Sequence, residues 1–259
     1  MKKLFFTAGV LFSLMICPLI AQVKHSHEIM LGNLQLKEGN NLGMVFNGIQ
    51  LEYRYGAHWK INVHEIVYQP KLGAGIAFKP APGTKEIMKA IRINIAPVSV
   101  RWTMPFYENN GHTIRGGANF IADYNYHLYE ELNDAPIFWN AEIGISPVIR
   151  YGYQWNNKRI NVGLQNSLFG FSSNRQGYDP YEWSFTWKDW IVDPHKNLKF
   201  GSFTRYNHTT VSLEFVPNIA KNHSIVYEFD YLGFYQGNRF QRINHNLIWR
   251  ISLCGKKEQ

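Results

Sequence analysis

The sequence predicts an all-β chain that closes into an antiparallel up-and-down transmembrane β-barrel of about ten strands, within a range of eight to twelve. Three observations carry that expectation. Apolar and polar side chains alternate with a period of two over runs of up to 15 residues and more, aromatic rings gather at the ends of those runs, and the one long apolar stretch is N-terminal. The 259 residues are 45% hydrophobic, 15% aromatic and 18% charged. Soluble domains average about 25% charged residues, so this surface is poor in charge and rich in rings. Mean hydropathy is −0.29, too low for a polytopic helical membrane protein, and the composition excludes a disordered chain, a coiled coil and a collagen-like fibre.

The N-terminus has the layout of a secretory signal peptide. Met1-Lys2-Lys3 is basic, Leu4 to Ile16 is apolar apart from Thr7, Gly9 and Ser13, Pro18 breaks the run, and Leu19-Ile20-Ala21 precedes Gln22. Cleavage is expected after Ala21, leaving residues 22–259 as the barrel domain. The run is too short, with Pro18 behind it, for a membrane anchor, and Ile16 before Cys17 is too bulky for a lipoprotein box. Loss of residues 1–21 lowers the formal charge from +8 to +6 and leaves Cys254 as the sole thiol. The mature fold therefore has to stand without an intrachain disulfide.

From residue 25 onward the strands are read in order. A weak first strand is expected at about Glu28–Leu36. Ile91–Ile95 begins on one phase and Val98–Trp102 continues on the other, a slip around Pro97 that reads as a β-bulge. Ile114–Leu128 alternates throughout. The clearest run is Ile137–Tyr153, with Trp139, Ile143, Ile145, Ile149 and Tyr151 on one face and Asn140, Glu142, Ser146 and Arg150 on the other. Ile160–Leu168, Val211–Phe215, Ile225–Tyr235 and Ile243–Leu253 follow. Asn156-Asn157, Pro217–Asn222 and Gln236–Arg239 read as short turns; Gly39–Leu42, Lys79–Thr84 and Glu130–Ala135 as moderate loops. Arg175–Asn197 is the one long excursion, expected outside with both termini periplasmic. Within it Tyr181, Trp183, Phe185 and Trp187 also alternate, an eleventh segment if the N-terminal one is lost.

Length separates membrane from water. Strands of soluble proteins run to about 5–6 residues, whereas a tilted spanning strand needs about 9–11 in the lipid and often projects beyond it. Rings at strand ends (Tyr53, Tyr55 and Trp59; Trp102, Phe106 and Tyr107; Tyr151, Tyr153 and Trp155) have the placement of an interfacial girdle. On these patterns, residues 25–254 resemble the small bacterial outer-membrane β-barrel proteins. The last strand, Asn244–Leu253, is similar to the C-terminal signal of that class, with Trp249 near its end. Cys254–Gln259 follows where many members stop on an aromatic residue. The resemblance implies a place in the cell outer membrane after export, with outer-membrane lipid and lipopolysaccharide as neighbours.

The charged residues fall on the face expected to line the lumen: Glu52, Arg54, Arg92, Arg115, Asp123, Glu142, Arg150, Glu214, Glu228, Asp230 and Arg250. A narrow barrel fills its interior with side chains, and opposite charges there are expected to pair, because an isolated buried charge is costly. The alternatives are a proton or ion path, carboxylates such as Glu228 with Asp230 acting as acid and base, or a small pore that Arg92, Arg115 and Arg150 bias towards anions. Barrel phospholipases and lipid A deacylases place His-x-Ser, then Asn, on one strand face. Phe171-Ser172-Ser173-Asn174 has phenylalanine where the histidine belongs, and His223-Ser224 is adjacent rather than alternate. His208-Thr209-Thr210 has the spacing, with Glu214 on the same face, but that face is the lumen.

His25-Ser26-His27-Glu28 is an incomplete metal set. No phosphate loop, GxGxxG or paired-cysteine spacing occurs, so no cofactor, metal or nucleic-acid partner is expected. Function is expected to be non-catalytic, with a charge-filled lumen and an aromatic loop for binding or envelope stabilisation. Tyr178, Tyr181, Trp183, Phe185, Trp187 and Trp190 are the candidate contacts, since large rings dominate binding hot spots. The alternatives are the lipid hydrolase built on His208, Thr210 and Glu214, and the small anion-leaning pore.

Overall fold

The computed structural model of the chain describes residues 23–38, 43–80, 83, 87–129, 137–174, 192–196, 198–202, 205–219, 222–235 and 239–253. Among these, ten antiparallel strands close on themselves. They are β1 (Lys24–Glu38), β2 (Val45–Ile61), β3 (His64–Tyr68 continuing as Lys71–Pro80), β4 (Ile87–Asn109) and β5 (His112–Tyr129). There follow β6 (Ile137–Trp155), β7 (Lys158–Asn166 continuing as Phe169–Asn174), β8 (Lys199–Ser202 continuing as Tyr206–Val216), β9 (His223–Phe234) and β10 (Phe240–Leu253). Each pairs with its sequence neighbour, and β1 pairs with both β2 and β10, so the sheet closes into a barrel. Closure removes the unpaired N–H and C=O groups that lipid cannot satisfy.

The first strand is longer than the sequence suggests, Lys24–Glu38 against Glu28–Leu36, and it is kept. The alternating residues at 181–188 lie outside the described residues, as do the signal segment 1–21 and Cys254–Gln259. The bulge around Pro97 is present as a register shift between Ile95 and Val98 against β5. A second shift, between Pro105 and Tyr107, lies where the Phe106 ring covers Gly116; a Cβ there would sit 2.2 Å from the ring.

At one end of the barrel three connections are two-residue turns and the fourth spans 217–222; the other end carries connections of five residues or more. At the turn end, Asn62, Asn110, Asn156 and Asn222 all hold positive φ, between 49° and 55°. Asparagine tolerates that conformation better than any residue but glycine. Asn110-Gly111, both left-handed, is the two-residue hairpin turn whose twist matches its strands. At the loop end, the helix α1 (Asp193–Lys196) brings the long excursion back against the outer wall. The Ser173 hydroxyl donates to the Pro194 carbonyl at 2.5 Å, and Tyr124 Oη lies 2.8 Å from His195 Nε2.

Along β1 the side-chain phase holds, but the apolar face changes sides. On β1, Ile29 and Leu31 face out beside inward Glu28. Four residues on, Leu34 and Leu36 face in and Asn33, Gln35 and Lys37 face out. Leu31 is 59% exposed and Leu34 0%. The turn-side half of the wall is thus apolar outside, as lipid requires, and its aromatic collar includes tyrosine–histidine pairs. His25 Nδ1 meets Tyr55 Oη at 2.6 Å, His27 meets Tyr53 at 2.7 Å and His112 meets Tyr151 at 2.8 Å. The loop-side half of β1 reads like a strand of a soluble barrel.

Candidate functional site

The lumen is the place where the strands bring chemistry together, and it has three levels. At the loop end Leu34, Leu36, Phe46, Met88, Tyr129, Phe138, Tyr206, Leu232, Phe234 and Phe240 form one buried apolar cluster across the barrel. Phe240 also stacks on His127, ring centroids 4.9 Å apart; both His127 nitrogens are buried without a hydrogen-bond partner.

Below this lies a polar layer. Arg54 donates to Glu52 at 2.5 Å and to both oxygens of Glu228 at 2.9 and 2.7 Å. Arg242 reaches Asp230 Oδ2 at 2.7 Å and Asn125 at 2.6 Å. Arg92 donates twice to Asn125, at 3.1 and 2.7 Å, and once to Gln50; Asn94 donates to Asp123. The bidentate, charge-assisted Arg54–Glu228 pair is of the strong kind, whereas Arg92 and Asp123 bond amide side chains at this level.

Nearest the turns, Arg250 bonds Glu28 at 2.6 Å and also Glu214. Glu214 accepts further bonds from Asn161 at 2.7 Å and Ser224 at 2.8 Å. Arg150 stands 3.5 Å from Glu214 and Arg115 stands 3.4 Å from Glu65. Between this level and the polar layer is a partly open cavity of about 80 Å³, whose wall contains Lys71 and Arg101 besides Arg54, Arg150 and Arg250.

The lumen charges read from sequence occupy these levels. Glu52, Arg92, Asp123, Glu142, Glu228 and Asp230 are buried, while Arg115 and Arg150 keep about a fifth of their side chains exposed. Sequence reasoning missed Glu28, Glu65, Lys71, Arg101 and Arg242. Arg242 shares the phase of Arg250 one residue before the expected strand, and counting across the bulge places Arg101 inward. Those two were recoverable from alternation.

His208 lies inward, as the strand phase implied, but its surroundings are not those of a general base. Nδ1 lies 2.9 Å from Glu142 and Nε2 lies 2.8 Å from Asp230. Both ring nitrogens face carboxylate oxygens, so neither offers a lone pair to Thr210, whose hydroxyl instead donates to Asp230 at 3.4 Å. Glu214, committed to Arg250, Asn161 and Ser224, is not among the hydrogen-bond partners of His208 or Thr210. The N-terminal His25-Ser26-His27-Glu28 set is split by alternation: the histidines face out to tyrosines, and Ser26 and Glu28 face in. The candidate binding residues Tyr178, Tyr181, Trp183, Phe185, Trp187 and Trp190 lie outside the described residues.

The fold is that of bacterial outer-membrane barrels. The outer membrane protease OmpT from Escherichia coli superposes with a TM-score of 0.53 over 91% of this chain and 97% of that one, at 8% identity. An outer membrane channel from Pseudomonas putida F1 (TM-score 0.43, 6% identity, 90% and 95% covered) also matches. So does the β domain of the Bordetella autotransporter BrkA (0.44, 8%, 88% and 98%). At such identities the likeness concerns architecture alone. No family model and no curated protein matches the sequence.

Proposed function

We propose that this transmembrane barrel is a closed, non-catalytic component of the outer membrane, whose lumen serves rigidity rather than passage. The observation that carries the reading is the layering of the lumen. An apolar cluster fills the loop end, and a cross-linked layer of arginines and carboxylates lies beneath it. Ions would have to cross a dry apolar segment, where an unpaired charge is expensive. The same geometry speaks against hydrolysis, because His208 is held by two carboxylates and faces away from lipid. On this reading the excursion at 175–197 is the contact surface towards lipopolysaccharide or an extracellular partner. Its return is tied to the wall through Pro194 and His195.

Planar-bilayer recording tests the proposal. The refolded chain is expected to insert and show no steady conductance, and to release no fatty acid from phospholipid. Large, stable open steps would overturn it in favour of an anion-leaning pore. Fatty-acid release abolished by His208→Ala would restore the hydrolase.

A further inference from the structure

The cavity at the turn end is space that lumen packing does not fill, and its wall is unequally supplied with charge. Five lysine and arginine side chains line it together with His208, against the carboxylates of Glu214 and Glu228. Those two acids are already occupied, Glu228 by Arg54 and Glu214 by Arg250, Asn161 and Ser224. Lys71 and Arg101 make none of the close ion pairs described above, although Lys71 acts at longer range on Asp123, Glu228 and Asp230 and Arg101 on Glu65. Arg101 Nε is buried with no hydrogen-bond partner, the state that ordinarily costs a protein stability unless something binds there.

The potential at the rim agrees. Glu65 sits just past the Asn62 turn, where burial alone would raise its pKa. Arg150, Arg101 and Arg115 nevertheless hold it below the ordinary 4.5. Neutral donors share the wall, among them Ser99, Asn119 and Gln165. A guanidinium fork, an ammonium and amide and hydroxyl donors suit an acceptor with several oxygens better than a two-oxygen carboxylate.

We propose that this cavity binds a phosphate-type oxyanion, held by Arg101 and Lys71 with Arg150 beside them, and entered from the turn end because the loop end is filled. The proposal shares with the occlusion reading only that filled loop end. A conducting barrel would defeat occlusion, whereas the titration below addresses the anion by itself.

The test is calorimetric titration of the refolded chain in detergent at low salt and neutral pH, with inorganic phosphate, glycerol phosphate or acetate. Phosphate is expected to bind, more weakly as salt rises, and acetate to bind at least tenfold less. Arg101→Gln should weaken phosphate about tenfold or more, the worth of a charge-assisted bond. Arg101→Lys should recover part of the loss, and Lys158→Gln, exposed beside the Asn156-Asn157 turn, should change nothing. Folding of each variant is checked by the mobility shift between unheated and boiled samples; if Arg101→Gln does not fold, Lys71→Gln carries the same expectation. Glycerol phosphate binding as tightly as phosphate supports a lipid headgroup as the source, and exclusive phosphate binding supports the free ion. No heat with either phosphate, acetate binding equally well, or a folded Arg101→Gln that binds unchanged would overturn the site.

Discussion

At the loop end of the lumen, Leu34, Leu36, Phe46, Phe234 and Phe240 meet across the barrel, and Asn33, Gln35 and Lys37 of β1 point out. At the turn end the same strand turns Glu28 inward, bonded to Arg250, and Ile29 and Leu31 outward. The backbone, the phase and the hydrogen-bond ladder are continuous between the two. What changes is the solvent outside. Where the wall faces lipid, its outside is apolar and its polar residues pair within the lumen. Where the strand projects beyond the lipid, water takes the outside and the apolar residues fill the lumen. A strand can therefore invert its amphipathicity without a bulge, and the loop-side limit of the lipid is expected at the inversion.

The comparison breaks most visibly where each filling is removed. Phe240→Ala at the loop end should cost about 3–5 kcal/mol by leaving a cavity. Asp230→Ala in the polar layer should cost a similar about 3–5 kcal/mol, because it leaves Arg242 and His208 each short of a buried partner. Urea unfolding in lipid vesicles measures both; a loss below 1 kcal/mol in either would mean that level is not close-packed.

A charge placed outward on β1 locates the boundary. Leu31→Arg, outward on the apolar side of the inversion, should cost about 1–2 kcal/mol. Gln35→Arg, four residues further, should fall within about 0.5 kcal/mol of neutral. Equal costs at both positions would remove the proposed boundary between them.

Within the charges themselves, position decides. Arg150→Ala should destabilise the barrel by no more than about 1 kcal/mol, its side chain being 20% exposed and 3.5 Å from Glu214. Arg54→Ala, which strips Glu52 and Glu228 of their shared partner, should exceed it severalfold.

The smallest effect is the pH response of the turn-end rim. The folded pKa of Glu65 is lowered, so its contribution is complete above 4.5 and is lost as pH falls through the folded value. Acid unfolding of Glu65→Gln should accordingly show a shallower pH dependence below 4.5 than that of the parent chain.

The inversion also explains which strands could be read from sequence. In β6, from Asn140 to Tyr153, the apolar face stays on one side, and alternation identifies both the strand and its inward Glu142 and Arg150. β1 changes sides near Gly32, so a count on either face averages the two halves, and the strand looked short and weak. The apolar cluster was missed for the same reason. Its members, such as Leu34 and Phe138, sit on the inward face, which in the turn-side half carries charged and polar side chains beside a small apolar cluster of Met30, Val226 and Ile248.

Alternation, strand length and ring placement were enough by themselves to determine a membrane barrel, the inward direction of its charges and the slip at Pro97, because all depend on residues near one another in the chain. The partners depended on closure. Arg54 meets Glu228 and Arg250 meets Glu28 across separations of 174 and 222 positions. Only the register of ten strands joined into a ring decides which charges share a level of the lumen. It is also why two cations in the turn-end wall stand apart from those pairs.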